Sequence, residues 1–198
     1  MDRAFSNWLN SFFVAGCHSK IVDKEEFHSA LNSYYASQQS CLWSSPVKFP
    51  VQADTDDGQQ LLALNEIYVG HASHQTARYV LTPPSGQAEP QASSGVIVST
   101  GTGATGWCRS AWLERHSPLT LPGPADRRLT WFVREAWPSP TTGTAFTEGI
   151  LSIGQEMEVT AESDRLVLFG DGIEADTIPL TWGQSARLRL ADRSLRLL

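Results

Sequence analysis

Beyond Pro124 the chain never settles into a helical period. Short apolar or alternating segments, LTWFVREAW, TEGILSI, EMEVTAE, RLVLF, GIEADTIPL, ARLRLA and RSLRLL, follow one another with turn residues between them. They recur at intervals of roughly 8 to 15 residues, the spacing of strands in a β-sandwich or barrel. A doubly wound parallel sheet would place a helix between successive strands, and no helical pattern separates these. The fold class this predicts is mainly β, an antiparallel β-sandwich.

Upstream, the segment LLALNEIYVG (61–70) has the length and the Ile, Tyr and Val content of one largely buried strand, and ARYVLT (77–82) reads as another. A polar stretch ending in Asp56-Asp57-Gly58 precedes the first. Residues 82–93, TPPSGQAEPQAS, read as a Pro, Gly and Ser loop, and Gly95–Ser99 as a short apolar strand. Two helices are expected. One spans 23–38, with Asp23 as N-cap, Glu25 and Glu26 in the first turn, and Phe27, Leu31, Tyr34 and Tyr35 on one side. The other spans 104–116, carries Trp107, Ala111 and Trp112, and gives way to Pro118, Pro122 and Pro124. The expected division is an N-terminal helical segment, 1–45, and a β domain, 46–198.

A chain of 198 residues with 41% apolar content can bury a sizeable core. Its net charge is -6 and its 15 basic residues are scattered, so it lacks the footprint that neutralises nucleic-acid phosphates, and no nucleic-acid partner is expected. Cys17, Cys41 and Cys108 form no CxxC pair, which argues for reduced thiols and a cytoplasmic protein. The apolar stretch Phe12–Gly16 is too short for a membrane span, and no membrane partner is expected. His71 and His74 stand three apart after a strand without a third ligand nearby, so they read as loop histidines and no metal site is assigned.

The chemistry concentrates between Ser99 and Trp107. Gly101-Thr102-Gly103-Ala104-Thr105-Gly106 matches GxGxxG after a strand and before a helix. A dinucleotide fold requires a second parallel strand ending in an acidic residue about 20 residues on. Here that stretch is HSPLTLPGPADRR, a proline-rich connection, and the match fails its context. What remains is a strand-to-helix turn of small residues, where backbone N–H groups and the hydroxyls of Ser99, Thr100, Thr102 and Thr105 can approach a ligand. Trp107 either offers an aromatic face to a base or packs in the core.

Three features in order, Ala63-Leu64-Asn65-Glu66, then Ser94-Gly95-Val96-Ile97-Val98-Ser99-Thr100 running on to Trp107, then Asp171-Gly172, resemble the NAD kinase family. In that family an Asn-Glu pair on a strand, a segment similar to DGLIVATPTGSTAY and a late Asp-Gly surround NAD in a C-terminal β-sandwich domain. The resemblance runs from about Ile21 to the C-terminus and is densest between Leu61 and Trp107. The flanks REAWPS and SSGVIVSTGTGATGW look closest to a divergent branch, the mitochondrial-type NAD kinases and bacterial relatives labelled sugar kinases.

The resemblance implies NAD(H) or NADP(H) as ligand. Asn65 and Glu66 would hold the ribose hydroxyls and adenine. Thr102, Thr105 and Gly106 would line the adenine, and Trp107 would stack where the family usually has Tyr. Asp171 would bring a carboxylate near the acceptor ribose, although Asp-Gly is equally a hairpin signal and both readings can hold together. Thr100 and Ser94 complete the expected lining, Ser94 standing where the family has Asp. Gly101 replaces a family Pro.

The family also carries an N-terminal α/β domain with a GGDGT-like loop, whose Asp is the usual catalytic base, and nothing in residues 1–60 resembles it. Phosphoryl transfer needs a cradle for the donor phosphates, bridging magnesium and a carboxylate that orients the attacking hydroxyl. The expectation is a truncated or split family member that binds NAD(H) or NADP(H). It would phosphorylate NAD to NADP only with a complementing domain, such as one on a separate chain, that brings ATP and magnesium. No catalytic residue is assigned. Self-association into a homo-oligomer is expected, because family C-terminal domains make the subunit contacts. Two alternatives remain open at this point: a complete but divergent kinase, and a structural or oligomerisation β-sandwich with a vestigial nucleotide site.

Overall fold

Two burial rhythms divide the strands into two sheets. In β10 (Glu156–Ala161), Met157, Val159 and Ala161 are buried while Glu156 is exposed and Glu158 and Thr160 are half-buried. The strands β5 (Ala77–Thr82) and β13 (Ser185–Leu190) alternate in the same way. One face meets the core and the other meets water. By contrast, β4 (Glu66–His71), β7 (Val96–Ser99) and β8 (Arg128–Val133) are buried almost continuously, as strands are when both faces are covered.

The structure is a computed structural model and describes residues 47–73 and 75–196. The remaining strands are β1 (Val47–Lys48), β2 (Val51–Thr55), β3 (Gln60–Ala63), β6 (Glu89–Ser93), β9 (Glu148–Ser152), β11 (Leu166–Gly170), β12 (Ile178–Leu180) and β14 (Leu195–Arg196). The first sheet has the order β3-β2-β13-β10-β5-β6 and the second β12-β11-β4-β7-β8-β9. A small ribbon pairs β1 with β14. Every pairing is antiparallel.

The two sheets enclose one core. Val51, Ala53, Tyr79, Leu81, Val159 and Leu188 of the first meet Ile67, Val69, Val98, Leu129, Trp131 and Leu168 of the second. The outer face of the first sheet is charged and carries cross-strand pairs, Arg187 with Glu158 and Arg189 with Asp54. The outer face of the second is covered in part by the helix α1 (Trp107–Arg115), which packs on β7 and β8 and buries Cys108. The mainly β, sandwich-like class is therefore the one the strand spacing predicts. No helix among the described residues is long and apolar enough to cross a membrane.

Several boundaries differ from the sequence expectation. LLALNEIYVG is two strands, not one: β3 belongs to the first sheet and β4 to the second, and the chain crosses between them at Leu64-Asn65. The supposed loop 82–93 ends in β6, an edge strand, which is the place in a sheet where Pro90 costs no ladder bond. The stretch before Gly58 contains β2, joined to β3 by a turn in which the Gly58 N–H donates to the Thr55 carbonyl. His71 closes β4 and is buried, and is no loop residue. GIEADTIPL is a short 3-10 turn, Glu174–Asp176, followed by β12.

The second expected helix is present, as a 3-10 turn at Gly103–Thr105 followed by α1. It ends where His116 turns left-handed at φ 52°. The helix expected at 23–38, the segment 1–45 and His74 lie outside the described residues.

Candidate functional site

The crossing at Leu64-Asn65 sets the geometry. Ala63 still pairs with Val51 in the first sheet, and Glu66 already pairs with Ser99 in the second. The two residues between have no ladder partners, yet their backbone groups are in the interior and need hydrogen bonds. Side chains and backbone from two remote segments supply them. The Leu64 N–H donates to Asp171 Oδ2 at 2.9 Å, and the Asn65 N–H to Asp171 Oδ1 at 2.6 Å. The Thr100 hydroxyl donates to the Leu64 carbonyl at 2.6 Å. The Asn65 carbonyl accepts the Thr100 N–H at 2.8 Å and the Ser99 hydroxyl at 3.2 Å.

Asp171 reaches this position because it opens a tight turn. Asp171 and Gly172 both have positive φ, 54° and 71°, and the Ile173 N–H donates to the Gly170 carbonyl at 2.9 Å. Two left-handed central residues define the type I′ hairpin turn that Asp-Gly favours. The Asp171 N–H also donates to the Glu66 carbonyl at 3.0 Å. Asp171-Gly172 is thus a tight turn at the end of β11 and not the whole hairpin loop, since the connection to β12 continues through the 3-10 turn at Glu174–Asp176; the same turn brings Asp171 to the site.

The glycine-rich turn serves protein contacts. Gly103 lies against the Asn65 carbonyl, where a Cβ would come within 2.2 Å of the oxygen, and Gly101 lies against the Gly123 carbonyl, where it would come within 1.8 Å. Thr100 organises the turn, since its hydroxyl oxygen accepts the N–H groups of Thr102 at 3.1 Å and Gly103 at 3.2 Å while its proton goes to Leu64. One donor and both acceptor sites are then engaged. Thr102 is half-buried, whereas Thr105 and Gly106 are exposed; the Thr105 hydroxyl donates to the Thr102 carbonyl at 3.2 Å.

An aromatic row lies beside the turn on the outer face of the second sheet. Trp107 stacks on Tyr68 with centroids 5.4 Å apart and planes 22° from parallel, and Tyr68 meets Phe169 at 4.9 Å. The Arg134 guanidinium stands 5.1 Å from the centre of the Trp107 ring, within cation–π range. Tyr68 lies flat because Gly70 and Gly95 leave room for its ring. Its hydroxyl donates to the Ser94 carbonyl at 2.8 Å. Ser94 therefore stands at the opposite end of β7 from Thr100, bonded to Tyr68 and, through its N–H, to the Arg134 carbonyl, the two residues that meet Trp107.

Two carboxyls share the site. Burial, reinforced by the negative charge of Asp171, pushes Glu66 up to about 7. Burial also raises Asp171, against the pull of the backbone N–H groups bonded to it. The Cys108 thiol, on the buried face of α1, is pushed up to about 11 by burial, with the Ser99 hydrogen bond opposing and the charge of Glu66 adding to the rise. A proton held at Glu66 near neutrality makes its side chain a hydrogen-bond donor as well as an acceptor. Among the described residues no group of three His, Cys, Asp or Glu side chains is placed to hold a metal ion.

Of the residues expected from sequence, Asn65, Glu66, Thr100, Thr102 and Asp171 come together directly. Thr105, Gly106 and Trp107 continue the same turn, and Ser94 does not join them. Sequence reasoning missed Tyr68 and Arg134. Tyr68 was legible as the residue two after Glu66 on the same face of a strand, whereas Arg134 comes near only through the β7–β8 pairing. No protein-family model matches the chain, and no curated protein matches it.

Proposed function

We propose that the chain is a nucleotide-binding β-sandwich of the NAD kinase C-terminal type, taking NAD(H) or NADP(H) at the end of the sandwich where β3 passes into β4. The observation that carries this reading is the convergence of the three motifs behind the resemblance. Leu64 is 36 residues from Thr100 and 107 from Asp171, and both are hydrogen-bonded to it. Segments that form a site need to meet, and chance resemblances along a chain have no reason to.

On this reading Asn65 and Glu66, both half-buried, hold ribose hydroxyls and adenine, and Thr102, Thr105 and Gly106 offer hydroxyl and backbone groups to the base. Trp107 contributes whatever part of its ring the Tyr68 stack and the Arg134 guanidinium leave open. Phosphorylation of NAD to NADP would need a second domain or chain that brings ATP and magnesium, since transfer depends on a donor-phosphate cradle. NAD bound at 100 times its dissociation constant stabilises a fold by about 2.7 kcal/mol, so thermal denaturation with NAD, NADP, ATP and no ligand tests the proposal. A rise with NAD or NADP supports it. No rise with any dinucleotide at millimolar concentration removes it.

A second reading is favoured by one observation: the hydroxyls of Ser99 and Thr100 and the carboxylate of Asp171 are all bonded to backbone. Such an end can exist for stability alone, as in a structural sandwich with a vestigial site. The same denaturation series separates the two readings.

A further inference from the structure

We propose that Asp171 is a positioning residue: its carboxylate holds the Leu64-Asn65 link from one side, Thr100 holds it from the other, and Asp171 itself makes no contact with the ligand. The inference rests on the nucleotide reading above but departs from the role that the resemblance implies for this residue. Each carboxylate oxygen takes one backbone N–H, at 2.9 and 2.6 Å, and the residue is only 9% exposed. Its own N–H is tied to the Glu66 carbonyl, so the turn and the start of β4 are fastened in both directions. On the far side Thr100 takes both carbonyls of the link, one through its hydroxyl and one through its N–H. All four backbone groups of the crossing are thereby fixed, and with them the position of the Asn65 Cα. Each oxygen keeps a second lone pair, but with the residue only 9% exposed little of the carboxylate is open to a ribose hydroxyl.

Asparagine at this position turns an NH2 toward one of the two backbone N–H groups, donor against donor, so Asp171→Asn releases one amide without changing the size of the side chain. Two measurements test the proposal. Amide hydrogen exchange should be at least about 100-fold faster at Leu64 or Asn65 in Asp171→Asn than in the wild type, with the β10 and β13 amides unchanged; unchanged exchange at both residues overturns the clamp. In calorimetric titration with NAD, Asp171→Asn should weaken binding about tenfold, and Asn65→Ala/Asp171→Asn should bind no more weakly than Asn65→Ala alone, because Asp171 acts through Asn65. Additive losses mean that Asp171 touches the ligand and overturn the positioning role.

Asp171→Gly serves as the second variant should Asp171→Asn not fold, because glycine keeps the left-handed turn while removing the carboxylate. It frees the Leu64 and Asn65 N–H groups and should show the same faster exchange and the same non-additivity with Asn65→Ala. A wild type that binds no NAD defeats the nucleotide reading and the ligand part of this one, and the exchange arm then still decides whether Asp171 holds the link.

Discussion

Gly103 approaches the carbonyl of Asn65 so closely that a Cβ on it would sit 2.2 Å from the oxygen. No atom can occupy that space, so Gly103→Ala must push the 100–106 turn away from the β3–β4 crossing. The expected cost is about 1 to 3 kcal/mol, as for other overpacked sites, together with loss of NAD binding. Gly123→Ala is the control: a Cβ there meets nothing nearer than 3.8 Å, and the residue is not among those that line the base. Urea denaturation and NAD titration of the two variants check this pair.

Glu66 makes stability fall as pH rises. Its folded value of about 7 lies above the unfolded 4.5, so between those values the folded state keeps a proton that the unfolded chain has released. Stability from this group is complete below about 4.5 and declines through about 7. Glu66→Gln removes the decline. Relative to wild type, the variant should gain on the order of 1 to 3 kcal/mol between pH 4 and pH 8, measured by denaturation at each pH. A difference that does not change with pH would place Glu66 in an ordinary solvated environment.

The aromatic row should report on stability and binding separately. Tyr68→Phe keeps the stack and loses the bond to the Ser94 carbonyl, so it should cost about 0.5 to 1.5 kcal/mol of stability and leave NAD affinity intact. Trp107→Ala should weaken NAD binding by about 1 to 3 kcal/mol if the ring also stacks on the base. Equal NAD affinity in wild type and Trp107→Ala would assign Trp107 to packing on Tyr68 alone.

Much of the architecture was legible because it follows a short-range rule. ARYVLT, EMEVTA and ARLRLA alternate, and they are strands with one wet face; GVIVS and LTWFV do not, and they are strands covered on both sides. The helix after the glycine-rich turn was legible from Trp107, Ala111 and the prolines that follow. The β3–β4 break was hidden, since Ala63, Leu64 and Ile67 continue one apolar run and only pairing with Val51 on one side and Ser99 on the other separates them. β6 was masked by Pro90, whose meaning depends on lying at an edge. Asn65, Glu66 and Asp171 could be singled out by motif, but the bond from the Leu64 amide to a carboxylate 107 residues away leaves no trace in local sequence.

His71 provides a negative control with a structural cost. It is buried at the end of β4, and its Nδ1 accepts the Ser73 N–H at 3.1 Å. β4 carries Glu66 at its start and His71 at its end, five residues or about 16 Å away. His71→Ala should lower stability by about 1 kcal/mol and leave NAD affinity unchanged, as read by denaturation and titration together.

The most direct test of the account is calorimetric titration of NAD into the wild type and into Asn65→Ala, each first checked for an unchanged fold. Asn65 is the residue on which the resemblance, the β3–β4 crossing and the Asp171 and Thr100 contacts all meet. Saturable binding to the wild type is expected, with a loss of about 1 to 3 kcal/mol in the variant, the cost of leaving a polar partner unpaired. Equal affinity in the two proteins, or loss of binding in His71→Ala with Asn65→Ala unaffected, would contradict it.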